Sequence, residues 1–205
     1  MPNGKLITCE GIDGSGKSTQ AKLLTERLRA SGKDCALFRE PGGTPLGEQV
    51  RKILLDQPDK MGAMAEMLLF SAARAELVRQ IIKPALAQGC IVILDRFTDS
   101  TTAYQGYGRG LDLALIETVN RASMQGVEPA VTFLFDIAAD EALNRHRRTH
   151  DRMEQEGVAF MEKVRRGYLS VAESYPGRIA VLDGTKAIEA LAEEVWNKVF
   201  NILNI

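Results

Sequence analysis

One run near the start of the chain restricts the fold more than any other: Gly11-Ile12-Asp13-Gly14-Ser15-Gly16-Lys17-Ser18-Thr19. It fits the pattern G-x-x-x-x-G-K-S/T. It also sits where that pattern requires, between the short apolar run Leu6-Ile7-Thr8-Cys9 and a segment of helical period from Lys17 to Ala30. Glycines let the backbone curl so that successive N–H groups face inward, and the start of the helix adds its positive dipole end. The natural guest is a polyphosphate. Lys17 is predicted to reach the β- and γ-phosphates of ATP as a point charge, and the Ser18 hydroxyl to ligate Mg²⁺. A glycine-rich turn that merely caps a helix is the alternative.

The rest of the chain alternates in the same way. Cys35-Ala36-Leu37-Phe38, Ile91-Val92-Ile93-Leu94, Val131-Thr132-Phe133-Leu134-Phe135 and Ile179-Ala180-Val181-Leu182 read as four further strands, apolar enough to be buried on both faces. Helices are expected over Lys17 to Ala30, Leu46 to Asp56, Ala63 to Ala87, Asp112 to Met124, Ala139 to Arg148, Glu154 to Ser174 and Ala187 to Asn201. Gly32 and Gly89 suit left-handed helix ends, and Pro45 suits a first helical turn. The expected fold is an α/β sandwich of the P-loop NTPase type, with a five-stranded parallel sheet and helices on both faces. No repeat or linker interrupts the 205 residues, so a single domain over 1–205 is expected.

Bulk charge adds only exclusions. A formal charge of −1 provides no global field for nucleic acid or anionic membranes, so anions must be held by local clusters. Cys9, Cys35 and Cys90 lie in apolar runs without metal-ligand spacing, which favours a reducing, cytoplasmic setting. Met1-Pro2-Asn3-Gly4-Lys5 lacks the pattern of a signal peptide, and no apolar stretch is long enough for a membrane span.

The strand Ile91–Leu94 runs into Asp95-Arg96, and strand ends face the ligand in sheets of this kind. Asp95 could hold Mg²⁺ through water and Arg96 could clamp a second phosphate, although a surface ion pair reads equally well from these residues alone. With this pair, five ordered segments resemble the thymidylate kinases of bacteria: Glu10 to Thr19, Arg39-Glu40-Pro41-Gly42-Gly43-Thr44, Leu69-Phe70-Ser71-Ala72-Ala73-Arg74, Asp95-Arg96-Phe97, and Ser100-Thr101-Thr102-Ala103-Tyr104-Gln105-Gly106. The resemblance extends over nearly the whole chain. It implies transfer of the γ-phosphoryl group of ATP to dTMP, giving dTDP and ADP.

It also implies roles for individual residues. Phe70 would stack on thymine, Arg74 would hydrogen-bond the base, and Thr101, Tyr104 and Gln105 would surround the base and deoxyribose, with Tyr104 disfavouring a ribose 2′-hydroxyl. Phe70 and Arg74 are four residues apart and so share a helical face. Without the resemblance they read as a core aromatic and a solvated arginine, Tyr104 as a partly buried aromatic, and Gly106-Tyr107-Gly108-Arg109-Gly110 as a flexible loop. Burial of the thymine methyl is worth only about 0.8 kcal/mol, so selection of dTMP over dUMP should be modest.

Asn144-Arg145-His146-Arg147-Arg148-Thr149-His150-Asp151-Arg152 is the most basic stretch. It resembles the family's lid, expected over about 139–157. Gly14 and Ser15 stand where some members carry a basic residue, so the resemblance assigns charge stabilisation at the transferring group to Arg152. From the residues alone the stretch is a solvated helix face. A nucleic-acid patch is disfavoured because no aromatics interleave the arginines, and His146 and His150 lack the glutamate of an i, i+4 zinc motif. The expected catalytic set is Lys17, Arg96, Arg152 and Asp13. The family further implies a homodimer, to which Met64-Ala65-Glu66-Met67-Leu68-Leu69-Phe70 could contribute. Two other readings remain from sequence: a P-loop kinase for another metabolite, and a nucleotide-dependent switch, against which the chain lacks Asn-Lys-x-Asp.

Overall fold

A computed structural model describes residues 4–55, 61–145 and 156–203. Five parallel strands, β1 (Leu6–Glu10), β2 (Cys35–Arg39), β3 (Ile91–Asp95), β4 (Val131–Asp136) and β5 (Ile179–Asp183), form one sheet in the order β2-β3-β1-β4-β5. Alternate side chains of the three inner strands enter opposite cores, as the period of two demands. Ile7, Cys9, Ile93 and Phe133 meet α1 (Lys17–Ala30) and α9 (Ile188–Leu203) through Ala21, Leu24, Leu28, Leu191, Val195 and Val199. Leu6, Val92 and Leu94 face the other side, against Leu77, Val78 and Ile82, while Leu134 packs with Val164 and Tyr168 of α8 (Val158–Ser174). Each such side chain, buried completely, contributes about 1.5–3 kcal/mol.

The expectation of strands buried on both faces holds for β1, β3 and β4. It fails for β2 and β5, the edge strands, in which Arg39 and Val181 are exposed. α2 (Pro45–Leu55) begins at Pro45, and Gly32 and Gly89 adopt φ of 73° and 84°. The long helix expected over Ala63 to Ala87 is α3 (Ala63–Leu77), a π-helical stretch (Val78–Ile82) and α4 (Lys83–Ala87) in unbroken succession. α6 (Leu113–Met124) is capped by the Asp112 carboxylate, which accepts from the Leu115 N–H. α7 spans Ala139–Arg145, and α8 begins at Val158 rather than Glu154.

The largest departure lies after β3. No helix is expected there, and Gly106 to Gly110 read as a loop. Instead α5 (Thr98–Thr101) passes directly into a π-helical segment (Thr102–Gly108). Thr, Ser, Asp and Gly are poor local helix formers, so packing must impose this conformation. It does so against α8: a Cβ at Gly167 would lie 2.8 Å from the Cβ of Tyr107, and one at Gly108 would lie 2.9 Å from the Phe160 ring. Wide helical turns of this type often mark functional sites.

Strand register brings Glu10, Arg39, Asp95, Asp136 and Asp183 to one edge of the sheet. The chain leaves β1 for the β2 edge, and after β3 it crosses to the β4 side. The loops after β1 and β3 therefore part, and a crevice opens outside the carboxyl ends.

Candidate active site

The loop between β1 and α1 is a backbone cradle. Gly14 and Gly16 have φ of 84° and 91°, and a Cβ at Gly14 would lie 2.2 Å from the Ala142 carbonyl oxygen of α7. Among the described residues no side chain caps the start of α1, and no acidic residue occupies its first turn, so its N–H groups are open to an anion. Lys17 is buried, and its Nζ donates to Asp13 Oδ1 at 2.9 Å. The Ser18 hydroxyl donates to Asp95 Oδ2.

A cleft of about 550 Å³ begins at this loop. Asp13, Lys17, Ser18, Asp95 and Arg96 line one end; Phe70, Arg74, Thr101, Tyr104 and Gln105 line the rest. Residues far apart in sequence thus share one space. Gly11, Ile12, Gly14, Ser15, Gly16 and Thr19 supply the loop around it rather than its lining, and the Thr19 side chain is turned to solvent.

Arg96 stands between the two ends in the left-handed region, at φ 73°, which costs a non-glycine residue about 1–2 kcal/mol. The guanidinium makes up for this. Its Nη2 donates to Asp13 Oδ1 at 2.6 Å and to Tyr104 Oη at 3.2 Å, and its Nη1 donates to the Gly11 carbonyl, Ser100 Oγ and Tyr168 Oη. Asp13 therefore holds Lys17 and Arg96 on a single oxygen. Against the desolvation that burial imposes, these two cations keep its carboxyl well below the usual carboxylate range.

Arg74 is not the solvated arginine that its position alone suggests. It is 2% exposed, and its Nε donates to Glu40 Oε2 at 2.8 Å, its Nη2 to the Phe97 carbonyl and its Nη1 to Asn120 Oδ1. Glu40 is also buried, and among the described residues its Oε1 finds no hydrogen-bond donor. Burial pushes the Glu40 carboxyl upward while Arg74 pulls it back. Phe70 is half-buried at the edge of the small core formed by Val50, Leu54 and Ala73. Tyr104 is also buried, with its hydroxyl between Arg96 and Asp13 Oδ2. Gln105 Nε2 donates to the buried Glu66 at 2.9 Å.

Arg152, His146, His150 and most of the expected lid lie outside the described residues. Arg145, at the end of α7, donates to the Gly184 carbonyl in the loop after β5.

Several residues of this site carry no assignment from sequence: Glu10, Glu40, Arg51, Ser100, Asn120 and Tyr168. Glu10 follows the apolar run of β1 directly, and Glu40 stands second after that of β2, as Arg96 does after Ile91–Leu94, so the strand-end argument would have found both. Asn120 and Tyr168 have no local signal, because α6 and α8 bring them in from a distance.

As a set, these groups can hold two anions end to end, one on inward-facing amides and Lys17, the other on Arg96, beside a pocket with an aromatic wall. No helix among the described residues is long and apolar enough to cross a membrane. The sequence profile described as "Thymidylate kinase" matches residues 9–195. The chain is 45% identical to a thymidylate kinase of Chlorobaculum parvum, over 97% of this chain and 94% of that one. It is 47% identical to a thymidylate kinase of Kosmotoga olearia, over 92% of each chain. The crystal structure of thymidylate kinase from Ehrlichia chaffeensis superposes with a TM-score of 0.81 at 39% identity, covering 97% of this chain and 99% of that one. Sequence, fold and cleft agree, and the chain belongs to the thymidylate kinase family.

Proposed function

We propose that the chain transfers the γ-phosphoryl group of ATP to dTMP, giving dTDP and ADP. One observation carries this reading: the single cleft that runs from Lys17 and Ser18, past Arg96, to Phe70 and Arg74. A phosphate monoester has a second pKa near 6, so dTMP arrives at neutral pH with an ionised oxygen ready to attack. No general base is needed. Catalysis reduces to aligning two polyanions and neutralising the charge that spreads over the transferred group.

Lys17 would meet the β- and γ-phosphates, and Arg96 would hold the acceptor phosphate against repulsion from ATP. Arg152 would complete the charge at the γ-phosphoryl group from a lid over about 139–157 of a single 1–205 domain. Asp13, bonded to both Lys17 and Arg96, would set the spacing of the two cations until the nucleotides replace it as their partner. Phe70 would stack on thymine, Arg74 would donate to the base, and Thr101, Tyr104 and Gln105 would shape the deoxyribose side.

The residues also suit Mg²⁺. Ser18 Oγ meets Asp95 Oδ2, and Asp95 Oδ1 is buried without a hydrogen-bond partner among the described residues, which gives a hard oxygen donor set with spare capacity. Ser18 would bind the ion directly and Asp95 through water. When bound, Mg²⁺ would neutralise phosphate charge.

A homodimer is part of the proposal. Leu46 and Ile53 of α2 and Met64 and Leu68 of α3 expose apolar side chains on two helices that pack together. The buried free thiols of Cys9, Cys35 and Cys90 suit a cytoplasmic enzyme. The test is ADP formation with ATP–Mg²⁺ and a panel of nucleoside monophosphates. dTMP should be the best acceptor, and equal rates across the panel would remove the assignment.

A further inference from the structure

Glu10 is the last residue of β1, is fully buried, and has no part in the chemistry above. Its carboxylate is nevertheless fully engaged with the turn that carries Arg96. Oε1 accepts from the Phe97 N–H at 2.7 Å; Oε2 accepts from the Ser100 hydroxyl at 2.6 Å and the Tyr168 hydroxyl at 3.1 Å. The same two hydroxyl oxygens also accept from Arg96 Nη1, at 3.3 and 3.0 Å, and they lie 2.7 Å from each other.

The direction of the protons follows from this geometry. Each hydroxyl has one proton to give. An ionised carboxylate only accepts, so Ser100 must donate to Glu10, and Tyr168 must donate either to Glu10 or to Ser100. In both arrangements the protons run toward Glu10, and the hydroxyl lone pairs turn toward the guanidinium. Phe97, which follows the strained Arg96 backbone, is fixed by the other carboxylate oxygen.

We propose that Glu10 is a positioning residue for the acceptor nucleotide, orienting the Ser100 and Tyr168 hydroxyls so that together they fix the Arg96 guanidinium at the boundary of the two phosphate sites. This rests on the reading that Arg96 holds the acceptor phosphate. The burial of Glu10 and the neighbouring Asp99 make the ionised carboxylate costly to keep, which points away from a purely stabilising role.

The test compares the full-length protein with Glu10→Gln, Tyr168→Phe, Arg96→Lys and the double variant Glu10→Gln/Arg96→Lys in steady-state assays of ATP and dTMP at pH 8, where the Glu10 carboxyl is ionised, with thermal melting alongside. Glutamine keeps the shape and can still accept from Phe97, but its amide donates into the hydroxyls and undoes their order. Expected is a rise of about tenfold in KM for dTMP in Glu10→Gln, the equivalent of one charged hydrogen bond, with KM for ATP within about twofold. The melting temperature at pH 8 should be no lower than that of the native protein. Tyr168→Phe should give a smaller rise of the same kind, and it decides the matter if Glu10→Gln does not fold. In the Arg96→Lys background, Glu10→Gln should add less than about twofold.

If Arg96→Lys raises the dTMP KM while Glu10→Gln and Tyr168→Phe leave it unchanged, or raise both KM values equally, the proposal is overturned and the Arg96 reading stands. An unchanged dTMP KM in Arg96→Lys overturns both.

Discussion

The two ends of the cleft are built by opposite means. The phosphate loop is nine consecutive residues whose function resides in backbone N–H groups and one lysine. The acceptor end is assembled from β1, the turns after β2 and β3, and side chains of α3, α5, α6 and α8, tied by a buried ion pair and hydroxyls. A loop of the first kind can lose its charged group without unfolding, because glycine conformation and helix packing hold it. A site of the second kind is also part of the core. Damage to it should appear in folding as well as in turnover.

Arg74→Ala should therefore have the largest effect of any single truncation considered. It strands Glu40, 4% exposed in its side chain and, among the described residues, already without a hydrogen-bond donor at Oε1. Breaking a buried pair from one side costs about 3–5 kcal/mol, a large part of an ordinary stability of about 5–15 kcal/mol. Urea denaturation should show a lowered midpoint with an unchanged slope. Arg74→Met with Glu40→Leu should recover most of that stability while dTMP use stays impaired. If the double variant remained as unstable as the single one, the ion pair would not be what ties this end to the core.

Lys17→Ala tests the other half of the comparison. The lost charge should reduce kcat by roughly 10²–10³-fold, as for other groups that stabilise charge in a transition state. Stability should fall much less than in Arg74→Ala, because Asp13, the carboxylate partner of the ammonium, is partly exposed and keeps Arg96 as a second partner. A denaturation midpoint that fell as far as that of Arg74→Ala would erase the distinction between the two ends.

The same division explains what the sequence disclosed. A contiguous motif between strand and helix needs no tertiary information, so Gly11 to Thr19 is legible from pattern alone, as are the five strands. Phe70 and Arg74 share a face by spacing, but nothing local shows that Arg74 is buried against Glu40, 34 positions away. The helix over Thr98 to Gly108 was hidden because its residues disfavour helix locally, and its stability comes from α8, about sixty positions on. Fold was readable where the period of hydrophobicity encodes it. The acceptor end was readable only through resemblance, since its contacts are long-range.

Titration offers a further separation, with opposite signs at the two ends. The Glu10 carboxyl is raised from 4.5 to about 7, by burial first and by Asp99 second, against the opposing hydrogen bond from Ser100, the charge of Arg96 and the Phe97 N–H. Tyr168 and Arg178 also face this cluster, Arg178 being paired with Asp99. Between pH 4.5 and 7 the folded chain retains this proton while the unfolded chain has lost it. Stability therefore falls as pH rises through that window, by roughly 3 kcal/mol in all. Asp13, held low by Arg96 and Lys17 against the desolvation of partial burial, acts in the other direction: its contribution is present above the ordinary aspartate range and is lost as pH falls below about 4. Urea titrations at pH 5 and pH 8 should show Glu10→Gln losing most of the pH 5 advantage of the native protein, while Asp13→Asn leaves it in place. A native-like slope in Glu10→Gln would place the titrating group elsewhere.

The smallest expected effect concerns the base itself. The wall of the cleft near Phe70 includes Phe38, Pro41 and Leu55, surfaces that, with the Phe70 ring, can take a methyl group from water. Burying one methyl contributes about 0.8 kcal/mol, so kcat/KM for dTMP should exceed that for dUMP by about fourfold, and by less than about tenfold. The preference should lie in the acceptor end alone: Phe70→Ala should reduce it toward unity, whereas Lys17→Ala, slower on both nucleotides, should leave the ratio unchanged. A ratio near a hundred would mean that the pocket excludes dUMP by shape, for instance by letting in a water that the methyl displaces. A ratio altered by Lys17→Ala would mean that the two ends do not act as separate devices.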